Sequence, residues 1–304
     1  MAIPEVEKIW MDGKLVDWKD AKVHVLTHAL HYGSGVFEGI RAYENGNGPA
    51  VFRLTDHIKR LFRSADIYKM KIPYSLKDLV NATKETVKAN KLKSCYIRPI
   101  AFRGYGGMGL YPEGIDVNVT IAAWPWGAYL GEEGIKNGVR VKISSFRRNN
   151  PNSIPTAAKA TGQYLNSILA KIEVISAGYD EAVLLGQDGF VADGSGENIF
   201  AVKGGIIYTP PTSAGALEGI TRASIIDIAG GKGYEVKEAN LVRSDLYLAD
   251  ELFFTGTAAE IVPIKEIDDR EIGPPGKITK ALQETFFKAI KGEESKYSDW
   301  LEQV

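Results

Sequence analysis

Strand-like alternation of apolar and polar residues, broken by turn residues and a few helical stripes, runs through most of this chain. Lys8-Ile-Trp-Met and Lys14-Leu-Val flank Asp12-Gly13, the dipeptide that type I′ hairpin turns prefer. Thr55 is placed to cap a helix whose apolar side is Ile58, Leu61, Phe62 and Ala65, spaced i, i+3, i+4, i+7. Ser75-Leu-Lys-Asp78 starts a second helix, with Leu79, Val80 and Val87 inside. Residues 95–103 alternate as a strand, so Tyr96 and Arg98 project from one face, the face a substrate would meet. The stretch 123–133, bearing Pro, Trp and Gly, reads as a linker. Beyond it come a strand at 139–144, a polar Asn/Pro loop at 145–155, and a helix after Lys159 with Leu165, Ile168, Leu169 and Ile172 as its buried stripe. Strands at 181–185, 190–192, 199–202 and 206–209 follow in hairpin order, then a helix at 219–229 closed by Gly230-Gly231. Strands at 251–255 and 261–267 and a helix at 278–290 complete the pattern. This order predicts an α+β (mixed α/β) protein with helices around a largely antiparallel, barrel-like sheet. The expected division is a small N-terminal α+β domain over 1–122, an interdomain loop over 123–133 and a larger C-terminal domain over 134–304.

Composition narrows the function classes. At 304 residues there is chain enough for two cores, taking ~150 residues per domain. The net charge of −1 and isolated basic pairs such as Arg147-Arg148, read as solvated loop, argue against a nucleic-acid partner. The longest apolar run, 119–130, is interrupted by Pro125 and falls short of the ~20 residues that span a bilayer. The first residues lack the basic and apolar regions of a signal peptide. A single cysteine, Cys95, forms no internal disulfide and reads as a buried thiol in a reducing, cytoplasmic setting. His28 and His31 have a spacing compatible with metal, but no further His/Cys cluster joins them, so they read as structural and no metal is expected. The glycines of Gly104-Tyr-Gly-Gly-Met-Gly109 satisfy a dinucleotide fingerprint, yet the following Leu-Tyr-Pro-Glu-Gly cannot open the helix that such a site needs.

The candidate chemistry centres on Lys159, in Ile-Pro-Thr-Ala-Ala-Lys-Ala-Thr-Gly-Gln-Tyr, with Tyr164 five residues on. Downstream lie Asp-Gly-Ser-Gly-Glu-Asn-Ile-Phe (193–200), Leu-Glu-Gly-Ile-Thr-Arg (217–222) and Thr-Gly-Thr-Ala-Ala-Glu (255–260). An amine for a covalent link, a phenol, a carboxylate to keep a pyridine nitrogen protonated and Gly-Thr turns offering backbone amides are the parts that hold pyridoxal phosphate. Ile220 and Thr221 open a helix, where N–H groups and the dipole favour a phosphate, and Gly256-Thr257 supplies a second set of donors.

Together with His28-Ala-Leu-His-Tyr-Gly33, Val36-Phe-Glu-Gly-Ile-Arg-Ala-Tyr43, Tyr96-Ile-Arg-Pro99 and Pro125-Trp-Gly-Ala-Tyr-Leu-Gly131, these motifs resemble the class IV, pyridoxal-phosphate-dependent branched-chain aminotransferases over nearly the whole chain. The resemblance implies a fold-type IV enzyme that transfers the amino group of L-leucine, L-isoleucine or L-valine to 2-oxoglutarate, giving L-glutamate. It also implies a homo-oligomer, dimer or hexamer. By that resemblance Lys159 carries the cofactor and moves the substrate proton, Tyr164 meets the cofactor's phenolic oxygen, and Arg60 joins Ile220, Thr221 and Thr257 on the phosphate. The substrate α-carboxylate would meet Thr257, Ala258 and Tyr96. Phe37, Gly39, Trp126 and Tyr129 would line the side-chain pocket, with Tyr32 and Met108 added across a subunit interface. Arg98 is the candidate cation for glutamate's distal carboxylate. The alternatives are a D-amino acid or amine transaminase, an aminodeoxychorismate lyase, or a cofactor-binding protein with little catalysis. One departure stands out: the family pattern has glutamate where this chain has Asp193, shorter by on the order of 1.5 Å for a bond of ~2.7–2.9 Å. Glu197 is a conceivable substitute.

Overall fold

The computed structural model describes residues 3–127 and 129–304. Met1, Ala2 and Ala128, the last within the 125–131 motif, lie outside the described residues. Two compact units are distinguished: Met1–Trp126 with Ala158–Gly162 and Ala289–Val304, and Gly127–Ala157 with Gln163–Lys288.

In the first unit the described residues form an eight-stranded antiparallel sheet. Its order is Leu301–Gln303, Gly48–Phe52, Ile40–Asn45, Cys95–Arg103, Val117–Trp124, Lys8–Met11, Lys14–Asp17, and Gly35–Phe37 also pairs with Cys95–Arg103. The predicted hairpin closes with positive φ at Asp12 (46°) and Gly13 (93°), as its turn type requires. Asp12 then ties the hairpin to the next strand, its carboxylate accepting from Val119 N–H and Asn118 Nδ2, each at 2.8 Å. Two helices, Leu54–Ile67 and Leu76–Ala89, present Ile58, Leu61, Ala65, Leu79 and Val87 to one apolar core with Val36, Ile40, Ile97, Val119 and Ile121. The second helix has the expected capping box: Asp78 N–H donates to Ser75 Oγ while Asp78 Oδ2 accepts from Ser75 N–H. The first does not start on Thr55. Leu54 opens it, and the Thr55 N–H is satisfied at 2.6 Å by Glu302, a partner 247 positions away that no local pattern reveals. Cys95 is buried, and burial pushes its thiol up to about 12, in keeping with the structural reading.

The second unit carries, among the described residues, a nine-stranded curled sheet in the order Val191–Gly194, Glu181–Leu185, Val139–Arg147, Glu260–Ile267, Glu251–Gly256, Asn198–Lys203, Ile206–Thr209, Val236–Glu238, with Arg270–Glu271 on Glu260–Ile267. The sheet is mixed, less antiparallel than hairpin order predicts. Val139–Arg147 runs parallel to both neighbours, and helix Tyr164–Ser176 is the crossover connection from it to Glu181–Leu185. Helices Ile220–Gly231 and Lys277–Ile290 add to this unit, the latter up to Lys288.

The crossover helix overturns one expectation. Leu165, Ile168, Leu169 and Ile172 are not its buried stripe; they are 67%, 50%, 47% and 58% exposed. The helix instead buries Ser167, Ala170 and Val174, and Ala170 and Val174 pack with Ala182 and Leu184 of the neighbouring strand. Both sets recur at helical spacing. Small residues allow the closer approach to a sheet, and the branched residues are left outside. No helix among the described residues is long and apolar enough to cross a membrane.

Candidate active site

In the first unit the site is built on the strand pair Gly35–Phe37 and Cys95–Arg103 and on the segment bearing Lys159. An isolated bridge joins Val36 to Ala160, Phe37 N–H donates to the Lys159 carbonyl at 2.9 Å, and Lys159 N–H donates to the buried Ser64 Oγ at 3.0 Å. The amine of Lys159 lies 5.0 Å from the centroid of the Phe37 ring, and the Arg98 guanidinium lies 4.8 Å from the same ring. Tyr96 and Arg98 do share a face: Arg98 Nη2 donates to Tyr96 Oη at 3.3 Å. Trp126 meets Tyr96 edge-on at 4.5 Å between centroids. Gly39 is held to glycine by this cluster, since a Cβ there would stand 2.0 Å from Tyr96 Oη. Arg98 Nε is buried with no hydrogen-bond partner among the described residues. Tyr32, an exposed side chain, donates to the Met108 carbonyl at 3.0 Å within this unit. His28 bridges Ser34 Oγ and the Gly109 carbonyl, so this histidine supports the bent 104–109 loop rather than standing idle.

Behind Lys159, helix Leu54–Ile67 turns His57, Arg60 and Ser64 inward at one-face spacing. Arg60 is buried and grips the wholly buried Glu38, Nε to Oε1 at 2.7 Å and Nη2 to Oε2 at 2.8 Å, while His57 Nδ1 meets Oε2 at 2.7 Å. Burial alone would raise the Glu38 carboxyl, but the charge and hydrogen bonds of Arg60, joined by His57, hold it far below the ordinary carboxylate range. Burial pushes His57 down despite Glu38, leaving it neutral near pH 7. Glu38 belongs to the 36–43 motif, but its pairing with His57 and Arg60 has no sequence signal, because one partner follows a strand of three residues and the others sit in a helix about twenty positions on.

In the second unit Asp193 lies near the end of strand Val191–Gly194 and is buried. Its partner is Arg148, Nε at 2.8 Å and Nη2 at 2.5 Å from Oδ1. Arg148 is therefore no solvated loop residue: the Arg148 N–H donates to Leu185 O, prolonging the strand pairing, and the side chain turns inward. Burial pushes Asp193 up to about 6 against the pull of Arg148, whereas burial and the neighbouring Glu181 push Glu197 up to about 8. Near neutral pH Asp193 is thus the ionised member of the two. The turn between Asp193 and Asn198 is tight: Gly194 N–H donates to the Glu197 carbonyl at 2.7 Å, and a Cβ at Gly194 would stand 2.8 Å from Glu197 Oε2. Asn198 pairs with Thr255 in the sheet and donates to the Leu217 carbonyl at 2.9 Å, which sets the turn leading to Gly219 and the helix at Ile220–Gly231. The same strand ends place Thr257 and Ala258 in the hairpin turn between Gly256 and Glu260. Tyr164 is the first residue of its helix, half-buried, and Tyr129 lies under the Lys171 amine at 5.6 Å.

The first unit offers an amine beside an aromatic ring and a buried arginine, and the second, taken by itself, a buried carboxylate and a helix start on Gly219; groups of these kinds are what a phosphorylated pyridine cofactor calls for. The donor set fits pyridoxal phosphate: Asp193 Oδ2 is left without a partner among the described residues, and Thr255 Oγ1 is buried and unpartnered beside the Gly256 turn. Comparison with known proteins agrees. The family model described as "Amino-transferase class IV" matches residues 35–267, and the chain belongs to this family of pyridoxal-phosphate-dependent enzymes. A curated relative, the branched-chain-amino-acid aminotransferase of Pseudomonas aeruginosa, is 51% identical over 294 residues, covering 96% of this chain and 95% of that one. The crystal structure of the Escherichia coli branched-chain amino acid aminotransferase superposes with a TM-score of 0.97 at 47% identity, over 98% of this chain and 99% of the other. The branched-chain amino acid aminotransferase of Thermobaculum terrenum, solved in its PLP-form, gives a TM-score of 0.91 at 34% identity, over 98% of each chain.

The buried Glu38 pair yields the first prediction. Glu38→Gln removes the charge that Arg60 grips, and breaking a buried pair this way costs about 3–5 kcal/mol. A carboxyl lowered by folding stabilises fully above its unfolded value and loses that contribution as pH falls through its folded one. The gap between parent and Glu38→Gln in urea denaturation is therefore full at neutral pH and narrows in acid below about pH 4.

Proposed function

We propose that this aminotransferase moves the amino group of L-leucine, L-isoleucine or L-valine to 2-oxoglutarate, forming the branched 2-oxo acid and L-glutamate in two half-reactions at one site. The observation that carries the reading is the shared Phe37 ring, with the Lys159 amine and the Arg98 guanidinium both against it. The branched-chain substrate class follows the relatives' activity at 47–51% identity over the whole chain. Work in the cytoplasm fits the lone buried thiol of Cys95.

Pyridoxal phosphate, when bound, supplies the carbonyl carbon that takes the amino group and an electron sink for the α-carbon. The residues proposed to hold it are Lys159 by a covalent link, Tyr164 at the phenolic oxygen, Asp193 at the ring nitrogen, and Arg60, Ile220, Thr221 and Thr257 at the phosphate. Glu38 keeps the Arg60 guanidinium in a fixed orientation for this task. With the cofactor bound, Lys159 Nζ would take the proton from the substrate α-carbon and return it at C4′, on the far side of the nitrogen being transferred. The turn amides of Thr257 and Ala258, with Tyr96 Oη, hold the α-carboxylate; Phe37, Gly39, Trp126 and Tyr129 surround the aliphatic side chain and exclude water. Reducing the holoenzyme with borohydride and mapping its peptides tests the core of this reading: the label is expected on Lys159 and absent from Lys159→Ala, and a label on another lysine overturns it.

Dual specificity rests on Arg98. Its aromatic contacts leave a flat cation beside an apolar pocket, suited in turn to carbon and to a carboxylate. A charge-assisted bond to a buried carboxylate is worth ~1.5–3 kcal/mol. Arg98→Met is expected to lower kcat/KM for glutamate by roughly ten- to a hundredfold and for leucine much less, each half-reaction being followed separately. Equal losses would assign Arg98 to the α-carboxylate or to the fold.

Assembly into a homo-oligomer is supported by Leu165, Ile168, Leu169, Ile172 and Ile175, large apolar side chains exposed at helical spacing along one face of a single helix, as a contact surface would have them. The exposed Leu110 and Tyr32, at the 104–110 loop and the short helix His28–Tyr32, fit completion of the pocket by a second copy. Sedimentation at assay concentration is expected to show a dimer or hexamer, and Ile168→Lys with Ile172→Glu to shift it toward monomer with loss of turnover. A fully active monomer sinks the oligomer.

A further inference from the structure

Arg148 is gripped on every side, more than an ion pair requires. Besides its two bonds to Asp193 Oδ1, its Nη2 donates to the Gly194 carbonyl at 2.5 Å and its Nη1 to Ser167 Oγ at 3.1 Å, and Gln187 Nε2 donates to its own carbonyl at 2.9 Å. Gly215 lies against the stem, where a Cβ would come 3.2 Å from Arg148 Cγ. The guanidinium therefore has one position, and both of the donors it gives to Asp193 fall on the same oxygen. Oδ2 alone is left open.

We propose that Arg148 is a positioning residue for Asp193, locking Oδ1 so that Oδ2 is presented as the single acceptor for the cofactor's ring nitrogen, and holding the carboxylate in its charged form. The inference rests on the reading that Asp193 is the ring-nitrogen partner. A short side chain has fewer rotamers to search than a glutamate but less reach, so its placement must come from outside itself. The other charged groups around it work against ionisation: Glu197 lies near enough to feel the Asp193 charge, and behind Glu197 stand Glu181 and its partner Lys171, 2.5 Å away. Arg148 is the one cation bonded to Asp193 itself among the described residues. Even with it, burial holds the Asp193 carboxyl at about 6. Without the guanidinium the group would be largely neutral at pH 7, offering a proton where an acceptor is wanted.

The test uses the full chain with Arg148→Met, Arg148→Lys and Asp193→Asn, each with two readouts. Isotope-edited infrared titration of the apoprotein follows the Asp193 carboxyl directly; rapid mixing of the holoenzyme with L-leucine follows the half-reaction against pH. Arg148→Met is expected to raise the Asp193 titration by about 1–3 pH units. Its limiting half-reaction rate at pH 7 should fall by roughly ten- to a hundredfold, with little change in the leucine concentration at half-maximal rate and partial recovery at higher pH. Arg148→Lys keeps the charge but not the fork, so Asp193 should titrate near its parent value while the rate stays between those of parent and Arg148→Met. An unchanged titration and pH profile in Arg148→Met overturns the proposal. If that variant fails to fold, Arg148→Lys decides, and a parent rate there overturns the clamp. Asp193→Asn at the parent rate overturns the underlying reading instead, whatever the Arg148 variants do.

Discussion

Removing a carboxylate from water is costly unless a cation goes with it, and both units of this protein are organised around that constraint. In the first, Glu38 is wholly buried and binds Arg60 through both oxygens with His57 at its side. This fixes one face of helix Leu54–Ile67 against the strand before Gly39, and the same face supplies the Ser64 hydroxyl that accepts the Lys159 backbone amide. The Lys159 amine, proposed to do the chemistry, is thus placed through its own backbone by the helix that carries the buried ion pair. In the second unit Asp193 is buried with Arg148, its carboxyl is pushed up to about 6, and the asymmetry of the contact leaves one oxygen for other use.

The two pairs answer different needs. Glu38 is held deep in its charged form, so that pair acts as scaffold across the working range of pH. Asp193 is held only partly, which suits the role proposed for it, accepting a hydrogen bond from a positive ring nitrogen without forming a partnership too strong to be shared. Glycine plays the complementary part. Gly39 beneath Tyr96 and Gly194 beside Glu197 are positions where a methyl group would collide with site residues, so close approach, not turn geometry, requires them.

Much of this was legible in the chain. The Asp12-Gly13 hairpin, the Ser75 capping box, the strand carrying Tyr96 and Arg98, and the helix after Lys159 follow from local periodicity and turn chemistry, because their causes lie within a few residues. The resemblance carried by Lys159, Asp193 and the Gly-Thr turns pointed to the cofactor and the family. The tertiary structure decided the matters whose causes lie far apart in sequence. Thr55 begins no helix because Glu302 satisfies its amide from the other end of the chain. The Leu165–Ile172 stripe faces outward because small residues on the opposite side of its helix fit the sheet more closely. Arg148 looked like one half of a solvated basic pair, and Glu38 like one residue among many, until folding removed each from water together with a partner 45 and 22 positions away. Local pattern determined where most helices and strands form, and motif resemblance determined the family; which charges are buried, and with whom, is a property of long-range packing, since only the assembled core sets the dielectric surroundings that make such a pairing necessary.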